Sequence, residues 1–270
     1  MPEGHTLHRL AKLHQQRLAG APVRVSSPQG RFAAEAARLD GHVLTGAEAW
    51  GKHLLHHYDS GLTVHIHLGL YGKFYESPVP MGEPVGEVRL RMYGPGRKDT
   101  PYGIDLRGPN TCEILLAPEI DTLTARLGPD PLRGDADPDR AWHRISRSQR
   151  PIGSLLMDQK VIAGVGNVYR AEVLFRHGIS PRRPGKQLTH EEWQAIWTDL
   201  VALMKVGVKR GVMVVVRPED DHGAPSYSPD RPRTYVYRRA GEPCRLCTTT
   251  VLHSVMEGRN LFWCPTCQPS

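Results

Sequence analysis

No run of this 270-residue chain stays apolar for the roughly 18 residues that a membrane-spanning helix needs, so no membrane partner is expected. Its start lacks the basic region, apolar stretch and cleavage site of a secretory signal, and an intracellular, cytoplasmic protein is expected. Cysteine is scarce: there are five, and four of them fall within 24 residues near the C-terminus. An odd count clustered in this way speaks against a disulfide framework and for a metal site. Lysine is sparse beside arginine, and no internal repeat is present, which removes solenoids and propellers from consideration.

What is present points to a polyanion. The net charge is +7 and the pI is near 9.3; each phosphate that such a protein neutralises releases counterions. The length suits two modest domains, or one with an appendage, and 39% hydrophobic residues suffice for real cores.

Residues 3–18 place Leu7, Leu10, Ala11, His14 and Leu18 at helical spacing, with Gly20 as a stop. From 22 to about 118 short β-rich runs (HLLHHYD, LTVHIHLG, CEILLA) alternate with Gly, Pro and Asp turns, the texture of an antiparallel sandwich or barrel. Residues 126–139, dense in Pro, Gly and Asp, read as a linker. Helices resume at Asp137-Pro138, and Thr189 with Glu192 forms a capping box ahead of a stripe of Trp193, Ile196, Trp197, Leu200 and Met204. Residues 217–233 read as a mobile loop.

The sharpest local signal is Cys244-x2-Cys247 followed by Cys264-x2-Cys267, a spacing suited to one structural zinc ion in a β-hairpin. Four thiolates leave zinc no open position for water. Arg259 lies near the hairpin tip, either as a solvated turn residue or within reach of a phosphate. The stretch 158–178 reads helix, Gly-rich turn, helix, with Asn167 as N-cap and Gly178 as stop. Gly164 and Gly166 there would turn bare backbone N–H groups outward toward a phosphate, against the plainer reading of an αα-hairpin. His65 and His67 share a strand face, but no third ligand is evident near them. Cys112 reads as an inert core thiol. At the start, Pro2 either merely permits loss of Met1 or, with Met1 gone, exposes a secondary amine beside the carboxylate of Glu3.

Together, MPEG at the start, Gly51-Lys52, QKVIAGVGNVYRAEVLF and a terminal GRNLFWCPTCQ resemble the formamidopyrimidine-DNA glycosylase and endonuclease VIII family of base-excision enzymes. The resemblance runs the length of the chain in the right order. It implies an α+β protein: an N-terminal β-sandwich flanked by helices (1–125), a helical helix–two-turns–helix domain (126–235) and a four-cysteine zinc finger (236–270). DNA would lie in the cleft between domains.

Carried over residue by residue, the resemblance makes Pro2 the nucleophile. A secondary amine attacking the sugar C1′ yields a permanently cationic iminium, an electron sink that lets an abasic sugar lose its 3′ phosphate by elimination. A helix N-terminus disfavours the ammonium form of that amine. Glu3 would act as a general acid in sugar-ring opening, its proton retained by burial. Lys52 would contact phosphate and transfer a proton during elimination. Gly164, Gly166, Asn167, Arg126 and Arg259 would contact DNA, and Leu70 with Tyr71 would fill the stack vacated by a flipped nucleotide.

The chain departs from the family pattern at His5-Thr6, where a carboxylate usually stands at position six, and at Gly69, often Gln in the endonuclease VIII branch. The wedge and the start favour that branch, hence oxidised pyrimidines over 8-oxoguanine. A non-catalytic zinc-finger DNA-binding protein accounts equally for the charge, the Gly turn and the finger. It does not account for Pro2, Glu3 and Lys52 occurring together. The expected partner is damaged DNA, met as a monomer, without a small-molecule cofactor and at the nucleoid.

Overall fold

The computed structural model describes residues 2–96, 100–223 and 233–269, and they divide into two compact units, Met1–Arg126 and Leu127–Ser270. Met1 and most of the loop read at 217–233 lie outside the described residues.

The first unit opens with α1 (Gly4–Arg17). Leu7, Ala11 and His14 are its buried face, as the spacing requires, and Gly20 follows with φ +91°. Then come β1 (Arg24–Ser26), α2 (Ala33–Ala37), β2 (Leu44–Trp50), β3 (His53–Tyr58), β4 (Thr63–His67), β5 (Lys73–Ser77), β6 (Val88–Gly94), β7 (Tyr102–Arg107), β8 (Thr111–Leu115) and α3 (Ala117–Ala125). The strands form two antiparallel sheets, ordered β1-β6-β7-β5 and β2-β3-β4-β8. Strict alternation of burial along β6 marks a strand with one face in the core. Leu54, Val64 and Ile66 of one sheet share that core with Leu90, Met92, Ile104 and Leu106 of the other and with Leu7 and Ala11 of α1. The β texture was legible in the sequence; α2, only five residues long, was not.

The second unit contains α4 (Pro138–Ile145), α5 (Ile152–Leu155), α6 (Asn167–Arg176) and α7 (His190–Arg210), then a hairpin of β9 (Leu252–Met256) and β10 (Arg259–Trp263). Asp137 caps α4 by accepting the Asp139 amide at 2.9 Å. The Thr189–Glu192 capping box starts α7, and Gly211, left-handed at φ +75°, ends it. Trp193, Ile196, Leu200 and Met204 are fully buried.

Two expectations are corrected. Residues 127–131, read as part of a linker, are buried: Gly128 donates to Gln159 O and Ala163 to Pro129 O. A Cβ on Gly128 would lie 2.3 Å from Val161 O, so its glycine serves close packing. The helix read at the start of 158–178 is instead the shorter α5 upstream, and 158–163 are turns held by the Asp158 carbonyl and carboxylate. Asp158 binds amides that a helix would need from elsewhere, the usual way Asp draws a backbone into turns. No helix among the described residues is long and apolar enough to cross a membrane.

Candidate functional site

In the first unit, Pro2 is half-buried and Glu3 is fully buried at the N-terminus of α1. Glu3 is the N-cap residue, with extended backbone (φ −121°, ψ 178°), yet its carboxylate does not cap the helix. No acidic residue occupies the first turn, so Glu3 at the N-cap is the carboxyl nearest in sequence to the positive end of the helix dipole. His5 is buried; desolvation holds its imidazole down at about 4. It is neutral near pH 7 and adds no cation beside the amine.

Lys52 sits in the two-residue turn between β2 and β3, closed by the pair Trp50–His53. Gly51 takes φ +57° there, the left-handed first position of a II′ turn. His53 follows, its basicity lowered to about 3 by burial first and then by His65, His67, Arg126 and Lys52. Lys52 and Arg126 both lie within electrostatic reach of that imidazole. His53 Nδ1 and His65 Nε2 are 2.8 Å apart, and His65 Nδ1 is 2.9 Å from Glu113 Oε1. His65 is thus engaged by neighbours on its strand face. Among the described residues no metal-holding group forms there.

Leu70 and Tyr71 lie in the loop between β4 and β5 and are 50% and 87% exposed, so neither is a core residue. The loop is anchored on both sides: Leu68 is buried, and the Gly72 amide donates to Leu68 O at 2.9 Å. A Cβ on Gly72 would fall 2.3 Å from that oxygen. Gly69 has φ +65° and lies against Asn110, which gives its missing side chain a conformational reason.

In the second unit the Gly turn differs from its sequence reading. Residues 161–170 are all buried, and Gly164 N–H donates to Gln159 Oε1 at 2.9 Å, so it is not a bare donor. The N-cap of α6 is Gly166; Asn167 is the first helical residue and does not cap. Its amide Nδ2 donates instead to Asn260 O of β10 at 2.9 Å, and its Oδ1 accepts from Arg170.

Arg259 opens β10 beyond a turn in which Glu257 and Gly258 both have positive φ (51° and 67°), a type I′ hairpin. Below it, the Sγ atoms of Cys244, Cys247, Cys264 and Cys267 all lie within 4.8 Å of one another. The pairs Cys244–Cys267 and Cys247–Cys264 are 3.8 and 3.4 Å apart, too far for disulfides. Tetrahedral thiolates about 2.3 Å from a zinc ion would stand roughly 3.8 Å from each other, so the donor set fits one metal ion. Phe262, Cys244 and Cys264 share a core with Val168, Ala171 and Phe175 of α6, which ties the hairpin to that helix.

Sequence reasoning overlooked Arg170 and Glu172. Both are fully buried on α6, and Glu172 accepts three amides, those of Tyr235, Val236 and Tyr237. Two opposite charges inside the otherwise apolar run VYRAEVLF were the available signal.

The formamidopyrimidine-DNA glycosylase N-terminal domain matches residues 1–107, and the formamidopyrimidine-DNA glycosylase H2TH domain matches residues 127–217. The protein called endonuclease 8 1 of Mycobacterium tuberculosis is 63% identical over 272 residues, covering 99% of this chain and 100% of its own. A formamidopyrimidine-DNA glycosylase of Geobacillus kaustophilus is 33% identical over 239 residues, 86% of this chain and 84% of its own. Among solved structures, the MutM (Fpg) protein of Thermus thermophilus superposes with a TM-score of 0.75 at 27% identity, covering 99% and 98% of the two chains. A complex between the Lactococcus lactis Fpg and DNA containing an abasic site matches in fold, with a TM-score of 0.78 at 19% identity over 99% and 100% of the chains.

Proposed function

The chain belongs to the formamidopyrimidine-DNA glycosylase and endonuclease VIII family of DNA glycosylases and AP lyases, and from that membership we propose that it excises oxidised pyrimidines from DNA through an iminium formed at Pro2. The observation that carries this reading is the pairing of Pro2 with a fully buried Glu3 at an uncapped helix N-terminus. The Pro2 nitrogen attacks C1′ of the damaged nucleotide, and Glu3 donates a proton as the sugar ring opens. The base leaves and an iminium links Pro2 to the sugar. Loss of the C2′ proton into that electron sink expels the 3′ phosphate, with Lys52 moving the proton and holding a phosphate.

Arg126 in the first unit, and Asn167, Gly166 and Arg259 in the second, take phosphates. Asn167 Nδ2 has a second hydrogen beyond the one given to Asn260. Gly164 contributes turn geometry rather than a donor, because Gln159 occupies its amide. The four thiolates hold one zinc ion, which fastens the hairpin that carries Arg259 and takes no part in the chemistry. Binding to damaged DNA is supported by the +7 charge and by family membership.

Chelating the metal, or Cys264→Ser, is expected to lower DNA affinity about tenfold or more by freeing the hairpin. Arg259→Ala is expected to match that loss while zinc stoichiometry stays near one. Filter-binding titrations with metal analysis check this; normal binding and cutting by zinc-free protein would make the finger dispensable.

Leu70 and Tyr71 enter the vacated stack. Flipping costs a few kcal/mol from a paired duplex and far less from single strands. Leu70→Ala with Tyr71→Ala is therefore expected to spare single-stranded lesions and abasic sites and to lose duplex oxidised pyrimidines. A cleavage panel with thymine glycol, 5-hydroxyuracil, 8-oxoguanine and abasic sites tests both the wedge and the substrate class. Preference for 8-oxoguanine would place the enzyme with the other branch.

A further inference from the structure

Arg170 is hard to explain as a helix residue. It lies in the first turns of α6, where the helix dipole disfavours a cation, and its side chain is fully buried, which costs desolvation. Its hydrogen bonds show where it acts. One terminal nitrogen donates to Gly153 O at 3.4 Å; the other donates to Asn167 Oδ1 and, at 3.0 Å, to Asn260 O. Asn167 Nδ2 donates to the same Asn260 oxygen at 2.9 Å.

That oxygen is available for a reason set by the hairpin. With a two-residue turn at 257–258, Met256 and Arg259 are the closing, hydrogen-bonded pair. The next pair, Val255 and Asn260, is non-hydrogen-bonded, so the Asn260 N–H and C=O point away from β9. Two donors from α6 therefore take the one carbonyl adjoining Arg259. An exposed two-stranded ribbon is marginally stable alone, and here its register near the tip is fixed from outside.

We infer that Arg170 is a positioning residue: with Asn167 it forms a buried clamp on Asn260 O that holds Arg259 at the angle from which it meets a DNA phosphate. The inference rests on the reading of Arg259 as a phosphate contact. The clamp also joins the start of α6 to the hairpin, so that the Gly turn and the finger arginine present phosphate donors at a fixed spacing.

The test uses full-length, zinc-loaded protein and a duplex with a stable abasic analogue, titrated at several salt concentrations. Arg170→Met keeps volume without donors; Arg170→Lys keeps the charge and part of the donor set. Arg259→Ala is expected to weaken binding about tenfold and to reduce the slope of log affinity against log salt by about 0.9, one phosphate contact. Arg170→Met is expected to reproduce both effects with zinc content unchanged, Arg170→Lys to recover part of each, and the double variant Arg170→Met/Arg259→Ala to lose no more than either single one. A lower melting temperature with the wild-type salt slope would mean that Arg170 only stabilises the fold, and additive losses would also overturn the inference. If Arg259→Ala itself left affinity and slope unchanged, the contact assigned to Arg259 would fail first, which separates the two failures.

Discussion

Glu3→Gln is expected to slow base removal by about 10²–10⁴, the usual contribution of a positioned general acid or base, while cleavage of a preformed abasic site changes far less. The asymmetry follows from what each substrate needs. A damaged nucleoside must have its sugar ring opened with a proton supplied to the ring oxygen, whereas an abasic sugar already equilibrates with its open aldehyde and can condense with the Pro2 amine directly. The fully buried carboxylate at the helix N-terminus does not cap α1 and is adjacent to Pro2 in the chain, which places it for that proton. Glutamine keeps the volume and removes only the acid. Single-turnover rates on the two substrates check the expectation; equal losses on both would make Glu3 a structural residue.

The second large effect is on stability. The protein is expected to unfold steeply as pH falls from about 6.5 toward 4. His14 and His56 lie inside the sandwich with His14 Nδ1 2.9 Å from His56 Nε2. The outer nitrogens, His14 Nε2 and His56 Nδ1, have no partner among the described residues. Desolvation lowers His14 to about 3 and His56 well below its ordinary value of 6.5, and burial also lowers His5 to about 4 and His53 to about 3.

The sign follows from linkage. In the unfolded chain these imidazoles take protons near pH 6.5, and in the folded chain they resist until pH 4 or 3. The unfolded state therefore binds more protons across that window, and stability present above 6.5 is lost as pH falls toward the folded values. His14 alone, lowered from 6.5 to about 3, accounts for on the order of 5 kcal/mol once the pH has fallen below both values, a large part of a typical domain's 5–15 kcal/mol. Melting temperature against pH measures it. His14→Gln should flatten the acid limb, and a curve that is level from pH 7 to 4.5 would contradict the account.

The chemistry-bearing motifs were easier to read than their surroundings. The cysteine knuckles, the capping box at Thr189 and the amphipathic stripes of α1 and α7 are local patterns whose physics is carried by neighbours in sequence, and they were legible. The burial of residues 127–131 was not, because Pro, Gly and Asp mark turns whether or not a turn is packed. Asn167 shows the same limit: it has the composition of an N-cap, but Arg170 occupies the Oδ1 that a cap would use, and its Nδ2 donates to a carbonyl 93 residues away. Leu70 and Tyr71 form a short apolar pair without periodicity, so their sequence alone does not say whether they pack inside or stand exposed. Their exposure follows from the anchors at Leu68 and Gly72 that push the loop out. Arg170 and the histidine pair lay beyond sequence reasoning because their meaning rests on partners from other elements.

The most direct test of the central claim is borohydride trapping of the enzyme, with Met1 removed, on duplex DNA carrying an abasic site, followed by tryptic mapping. Reduction freezes the iminium as a stable amine, so the adduct reports which nitrogen attacked. The account requires the sugar on Pro2, in the peptide Pro2–Arg9, and at most residual trapping in Pro2→Gly, whose terminal amine is primary. An adduct on Lys52 or any other lysine, or wild-type rates of strand cleavage in Pro2→Gly, would contradict it.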